Sequence, residues 1–186
     1  MIEAVLLDFG GVVFRNKEEY EGPKGQLQID PELWYQARLG QIDDDVAFTS
    51  IGKNYGVDSA TVLNWLLSKR EPNQELLDLL VQLRPGIKTA VINNGLKSLF
   101  HGLLDKYNLK NRFNVLVNSA EEGVEKPNPE IFLRTCRKLE VAPEACLMAD
   151  DDQKLLEGVE NLGIKTILFS GVSDLRKMFE DLNLLV

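Results

Sequence analysis

The sequence predicts an α/β protein with a parallel sheet of five strands, because short apolar runs alternate with helical patterns along most of the chain. The runs are rich in Val, Ile and Leu and span residues 4–7, 89–92, 114–117, 146–149 and 165–169. Each has the length of a buried strand. Apolar residues recur every three or four positions over residues 73–83, 96–106, 129–139, 153–162 and 172–183, which predicts a helix in each range. Right-handed crossovers between such elements build a doubly wound, Rossmann-like sheet with helices on both faces.

The long separation between the first two predicted strands indicates an insertion. Residues 8–88 lie between them, far more than one crossover helix needs. This stretch contains three helical windows, over residues 31–40, 43–54 and 59–68, with good helix starts at Asp30-Pro31, Asp43 and Asp58-Ser59. We therefore expect an α/β core of residues 1–14 and 73–186 and a small helical cap of residues 15–72.

Composition excludes several classes of function. The chain has 21 Lys plus Arg against 29 Asp plus Glu, a formal net charge of −8, so we expect no nucleic-acid partner. No window reaches the roughly 18 apolar residues of a membrane span, and we expect a cytoplasmic protein with no membrane partner. Cys136 and Cys146 lack metal-site spacing, and His101 is the only histidine. Zinc sites and His-dependent catalytic triads are therefore not expected, while nothing in the sequence determines the oligomeric state.

Polar residues follow the predicted strands at the points where they end. Asp8 follows the first strand, Asn93 and Asn94 the second, and Asp150 and Asp151 the fourth. Ligands of open parallel sheets bind at this carboxyl edge. A lone carboxylate there often only caps the next helix, which is our interpretation of Asp152. Several carboxylates at one edge cost several kcal/mol unless a cation compensates, and carboxylate oxygens suit Mg²⁺.

Four segments, in this order, resemble the haloacid dehalogenase-like hydrolase superfamily over nearly the whole chain. They are Leu7-Asp8-Phe9-Gly10-Gly11-Val12, Gly40-Gln41-Ile42-Asp43 with Phe48, Lys126-Pro127-Asn128-Pro129-Glu130-Ile131-Phe132, and Asp150-Asp151 through Leu162-Gly163. The second segment is similar to the start of a cap helix in the subgroup with helical caps. Members of the superfamily are mostly Mg²⁺-dependent phosphatases, so the resemblance implies a hydrolase acting on a small phosphorylated metabolite.

The resemblance also implies a role for each site residue. Asp8 would attack phosphorus and form an aspartyl-phosphate. Mg²⁺ would be held by Asp8, the Gly10 carbonyl, Asp150 and Asp151. Lys126 would add a positive charge to the catalytic site and to phosphate binding, and Asn93 and Asn94 would donate hydrogen bonds to the phosphate.

Two departures from the family pattern leave the activity open. The phosphatases usually have a second Asp, two residues after the nucleophile, that protonates the leaving group and then activates water. Here that residue is Gly10, and a general acid or base contributes about 10²–10⁴-fold. Asn93 stands where the family has Ser or Thr. One hypothesis is a slow phosphatase; the other is a catalytically silent relative that binds a metal, a phosphometabolite or a protein. A dehalogenase needs no metal and would leave Asp150 and Asp151 without a counter-charge.

Overall fold

The computed structural model describes residues 1–17 and 21–186 and contains the predicted five-stranded parallel sheet. Its strands are β1 (Ala4–Asp8), β2 (Phe14–Asn16), β3 (Arg70–Pro72), β4 (Lys88–Asn93), β5 (Val115–Asn118), β6 (Cys146–Asp150) and β7 (Lys165–Leu168). The parallel sheet has the order β5-β4-β1-β6-β7, and β2 and β3 form a separate antiparallel pair. The strand order reverses at β1, so the switch point lies beside the strand that ends in Asp8.

Nine α-helices accompany these strands within the described residues. They are α1 (Pro31–Arg38), α2 (Asp44–Tyr55), α3 (Ser59–Ser68), α4 (Gln74–Leu80), α5 (Lys97–Lys106), α6 (Ser119–Glu122), α7 (Pro129–Leu139), α8 (Gln153–Leu156) and α9 (Val172–Asp181). Each helix in this part of the chain is too short or too polar to cross a bilayer.

The central strand β1 is buried on both faces, and alternate residues face opposite sides of the sheet. Val5 and Leu7 pack into one apolar cluster with Phe100 and Phe179. Leu6 packs into a second cluster on the other face, with Ile131, Phe132 and Met148 among its neighbours. A sheet covered on both faces needs near-continuous apolar strands, which is why these runs were recognisable in the sequence.

The three helices of the insertion begin close to the predicted positions. The Asp30 side chain accepts hydrogen bonds from the amides of Glu32 and Leu33, and the Asp58 side chain accepts one from the Thr61 amide. Phe48, Ile51 and Val62 form an apolar cluster that also includes Leu96 at the start of α5. We propose that residues 15–72 act as a cap above the core.

Two features differ from the prediction. The pair β2–β3 was not predicted; it brings Phe14 opposite Pro72 and Asn16 opposite Arg70, at the two crossings between core and insertion. The predicted helix over residues 153–162 is wrong, because α8 ends at Leu156 and a separate 3-10 turn covers Glu160–Leu162. Gly158 has φ of 81°, a left-handed conformation that interrupts a helix.

Candidate active site

Three carboxylates meet at the carboxyl edge of the sheet. Asp8 ends β1, Asp150 ends the neighbouring strand β6, and Asp151 follows it. One oxygen of each lies within 4.8 Å of the other two. Gly11 makes the approach of Asp151 feasible: it has φ of 96°, and a Cβ there would lie 2.0 Å from Asp151 Oδ2. The loop after β1 therefore needs glycine at position 11.

Lys126 joins two of these carboxylates from the loop before α7. Its side chain is buried, and its Nζ donates to Asp8 Oδ1 and, at 2.6 Å, to Asp150 Oδ2. The other oxygen of Asp150 accepts from the Asp152 amide at 3.0 Å. Both oxygens of Asp150 thus have partners, which sets its orientation and that of the lysine. A buried charge needs such partners to offset the loss of hydration.

Burial and neighbouring charges shift the pKa values of Asp8, Asp151 and Lys126. Burial raises the pKa of Asp8 to about 6, and the charge of Lys126 limits that rise. Burial, followed by the charge of Asp150, raises the pKa of Asp151. Burial alone would lower the pKa of Lys126, but Asp8 and Asp150 outweigh burial, so this pKa lies above its ordinary value. Three carboxylates therefore share one ammonium group.

The donor set suits a hard divalent cation. All three side-chain ligands are carboxylates, which Mg²⁺ prefers, and their oxygens are spaced closely enough to reach one ion. Gly10 borders the same cavity as Asp8 and Asp151, and its carbonyl as a further ligand stays a prediction. The excess negative charge gives a physical reason for a cation at this position.

The two asparagines after β4 differ in their surroundings. The Asn94 side chain holds the Lys126 backbone, accepting from its amide at 2.9 Å and donating to its carbonyl at 2.8 Å. Asn94 therefore supports the loop that carries the lysine. Asn93 Nδ2 donates to Asn118 Oδ1 at 3.4 Å. Both asparagines line the cavity beside Asp8, and their role as phosphate ligands stays a prediction.

Asn118 was not recognised from the sequence. It is fully buried at the end of β5, opposite Asn93, and its Nδ2 has no hydrogen-bond partner within the part of the chain that the structure covers. A signal was present, because Asn118 directly follows the third apolar run, as Asp8 follows the first. Asp152 is the helix cap that we expected: its side chain accepts from the Lys154 amide at 2.9 Å.

A cavity of about 630 Å³ opens above these residues. The insertion contributes Trp34 and Arg38, and β3 contributes Arg70. The apolar part of the wall includes Phe14, Leu96, Leu99, Phe100 and Leu103. Arg38 Nε lies 2.7 Å from Glu125 Oε2, so this cation is paired at the rim. The size is that of a small-molecule site.

Position 10 lies in this cavity and is open. A Cβ at Gly10 would have no heavy atom within 4 Å apart from its chain neighbours, and Gly10 is outside the left-handed region. The fold therefore leaves room for an aspartate here, and its absence is a property of this sequence and not a steric requirement.

The sequence model of the haloacid dehalogenase-like hydrolases matches residues 2–163. The chain is 34% identical over 99 residues to the glyceraldehyde 3-phosphate phosphatase of Methanopyrus kandleri, covering 52% of this chain and 42% of that protein. It is 22% identical over 171 residues to the sesquiterpene phosphatase astK of Aspergillus oryzae, covering 87% of each. The chain spans about two fifths of the length of the first curated relatives that it matches.

A solved structure has the same fold. A HAD family enzyme of Bacteroides thetaiotaomicron, in complex with magnesium and inorganic phosphate, superposes with a TM-score of 0.74 at 22% identity. The match covers 90% of this chain and 93% of that one.

Proposed function

Because the chain belongs to the haloacid dehalogenase-like hydrolase family, we propose that it is a Mg²⁺-dependent phosphatase of a small phosphorylated metabolite. One observation carries the proposal: Lys126 Nζ bridges Asp8 and Asp150, with Asp151 completing a cluster of carboxylates at the floor of the cavity. The names of two relatives, a glyceraldehyde 3-phosphate phosphatase and a sesquiterpene phosphatase, support a phosphate ester as the substrate.

In this proposal Asp8 is the nucleophile. One oxygen of its carboxylate attacks phosphorus, the bond between phosphorus and the leaving oxygen breaks, and an aspartyl-phosphate forms. Lys126 holds the other oxygen of Asp8 and so orients the carboxylate for attack. Water then attacks the phosphorus of the aspartyl-phosphate and releases inorganic phosphate, with Asp8 restored as a carboxylate.

Asp8, the Gly10 carbonyl, Asp150 and Asp151 would hold Mg²⁺ in this site. The ion supplies positive charge that draws electron density from the phosphoryl oxygens and lets one anion approach another. Lys126 supplies a second positive charge, and Asn93 and Asn94 line the cavity where the phosphate would lie.

Gly10 makes this phosphatase slow on ordinary alkyl esters. No side chain at position 10 protonates the leaving oxygen or activates water, which lowers the rate by about 10²–10⁴-fold. The same observation favours a second candidate function, a silent relative that keeps metal or phosphate binding without turnover.

The deciding experiment is phosphate release from an aryl phosphate and a panel of sugar phosphates and nucleotides, with Mg²⁺ and with a chelator. We expect turnover that requires the metal and is abolished in Asp8→Asn. Asp45→Asn is the matched control, because Asp45 is exposed in the first turn of α2 and does not line the cavity. Silence across the panel with Mg²⁺ bound in calorimetry would favour the silent relative. Equal activity of Asp8→Asn and wild type would contradict the assigned nucleophile.

A further inference from the structure

Three cationic side chains line the cavity, and two of them are neutralised. Lys126 is paired with Asp8 and Asp150, and Arg38 with Glu125. Arg70 makes no ion pair with a carboxylate within 4.0 Å among the residues that the structure describes. The charges of the three carboxylates, Lys126 and a divalent ion cancel. Asp152 also lines the cavity, but it is exposed and its side chain accepts from the Lys154 amide, so Arg70 is the positive charge left for a substrate.

Arg70 lies where the chain returns from the insertion to the core, and it lines the same cavity as Asp8. It opens β3 opposite Asn16, and its carbonyl accepts a hydrogen bond from the Tyr107 hydroxyl at 2.9 Å. The side chain is half-buried. Burial lowers the pKa of the guanidinium, and the charges of Asp8 and Asp151 oppose that shift. The guanidinium therefore shares the cavity with the attacking carboxylate.

The chemistry at position 10 restricts the leaving group. An alcohol is about as weakly acidic as water, so it leaves slowly without a proton donor. A phosphate has a second pKa of about 6, so at neutral pH it leaves without a proton donor. It leaves as a dianion, however, and therefore needs a positive charge nearby. Gly10 offers no proton and Arg70 offers the charge. The same cavity also has an apolar wall that includes Leu96, Leu99 and Leu103.

Resting on the proposed phosphatase function, we propose that the substrate is an organic diphosphate with an apolar organic group and that Arg70 binds its departing phosphate. Asp8 attacks the terminal phosphorus, and the bond from that phosphorus to the bridging oxygen breaks. The electron pair stays on the bridging oxygen, which becomes an oxygen of the released organic monophosphate. A guanidinium binds such a phosphate through two parallel hydrogen bonds. Water then hydrolyses the aspartyl-phosphate to inorganic phosphate.

The test compares kcat/KM for hexyl diphosphate, hexyl phosphate and p-nitrophenyl phosphate. The ratio kcat/KM reports the steps through departure of the leaving group, whereas kcat also contains hydrolysis of the aspartyl-phosphate, which Gly10 slows equally for all substrates. We expect wild type to prefer the diphosphate over the hexyl monophosphate by about 100-fold or more. Methyl diphosphate should be a poorer substrate than hexyl diphosphate, because it leaves the apolar wall uncovered.

Arg70→Gln should lower kcat/KM for hexyl diphosphate by about 10- to 100-fold, the effect of losing a hydrogen bond to a charged group. The same substitution should change kcat/KM for hexyl phosphate by less than about threefold, since the leaving group of that substrate carries no phosphate for Arg70 to bind. Arg70→Lys should recover part of the loss. Arg15→Gln is the matched control: Arg15 lies on the paired strand β2, is bonded to Glu71 and does not line the cavity.

An equal loss of kcat/KM for hexyl diphosphate and hexyl phosphate in Arg70→Gln would overturn the assignment, because Arg70 would then bind only the transferred phosphoryl group. Turnover of p-nitrophenyl phosphate that depends on Asp8, together with silence on hexyl diphosphate, would overturn the diphosphate and leave the phosphatase standing. Silence on all substrates would overturn both.

Discussion

An aspartate introduced at position 10 is the sharpest test of how this site treats its leaving group. The structure accepts the change, because a Cβ at Gly10 meets no heavy atom within 4 Å and the backbone there is not left-handed. The new carboxyl group would enter the cavity that contains Asp8, Lys126 and Asp151. It can then donate a proton to the leaving oxygen and accept one from the attacking water.

The magnitude follows from the role of a general acid. We expect Gly10→Asp to raise kcat/KM for an alkyl monophosphate by about 10²–10⁴-fold, equivalent to about 3–5 kcal/mol of transition-state stabilisation. An aryl phosphate, whose leaving group is much more acidic than an alcohol, should gain less. The assay is phosphate release from glycerol phosphate and from p-nitrophenyl phosphate with saturating Mg²⁺.

Gly10→Asn is the matched control, because asparagine has the same shape and cannot transfer a proton. Thermal unfolding of both variants checks that the loop after β1 is intact. If the Asp variant is folded, binds Mg²⁺ and hydrolyses glycerol phosphate no faster than the Asn variant, the acid/base account of Gly10 is wrong.

Three further predictions concern the stability of the fold. Asp44 Oδ2 accepts from Ser98 N and Oγ, both at 2.6 Å, so Asp44→Ala should lower the free energy of unfolding in urea by about 2–3 kcal/mol. Asp45→Ala, an exposed change in the same turn, should cost less than about 1 kcal/mol. Lys126→Met should lower the free energy of unfolding by about 3–5 kcal/mol in the presence of a chelator, since two buried carboxylates lose their partner. The loss should be smaller in saturating Mg²⁺. Burial raises the pKa of Glu122, but Lys138 and Arg134 outweigh it and hold that pKa below its ordinary 4.5. The resulting stability is complete above pH 4.5 and is lost as the pH falls through the lowered pKa, so the difference in urea midpoint between wild type and Glu122→Gln should shrink in acid.

The sheet and the carboxylate cluster were predictable because they follow from local patterns. A buried parallel strand requires a continuous apolar run, and the carboxyl ends of such strands converge at one edge. Asp8 and Asp150 end neighbouring strands, so their meeting required only the strand order of a doubly wound sheet. Lys126 required the family resemblance, since nothing local distinguishes it from a solvated loop lysine.

The parts that escaped prediction depend on distant contacts. The three-residue strands β2 and β3 are too short for an alternating pattern, and only the return of the insertion to the core pairs them. Asp44 resembles an ordinary acidic residue in the first turn of α2, yet its side chain caps α5, whose own N-cap residue Leu96 makes no side-chain hydrogen bond. The sequence shows an acidic residue at Asp44, but it does not show that Ser98 is its hydrogen-bond partner.

The same distinction explains why Arg70 required a structure. The sequence contains 21 cationic residues, and their spacing does not show which of them are neutralised. In the cavity, Glu125 pairs with Arg38 and the buried carboxylates pair with Lys126, so only the pattern of pairing leaves Arg70 as the available charge. A missing proton donor at Gly10 and an available cation at Arg70 favour the same kind of leaving group, one that departs as an anion. Their agreement is the reason to treat Gly10 as part of this site's specificity and not simply as a lost catalytic residue.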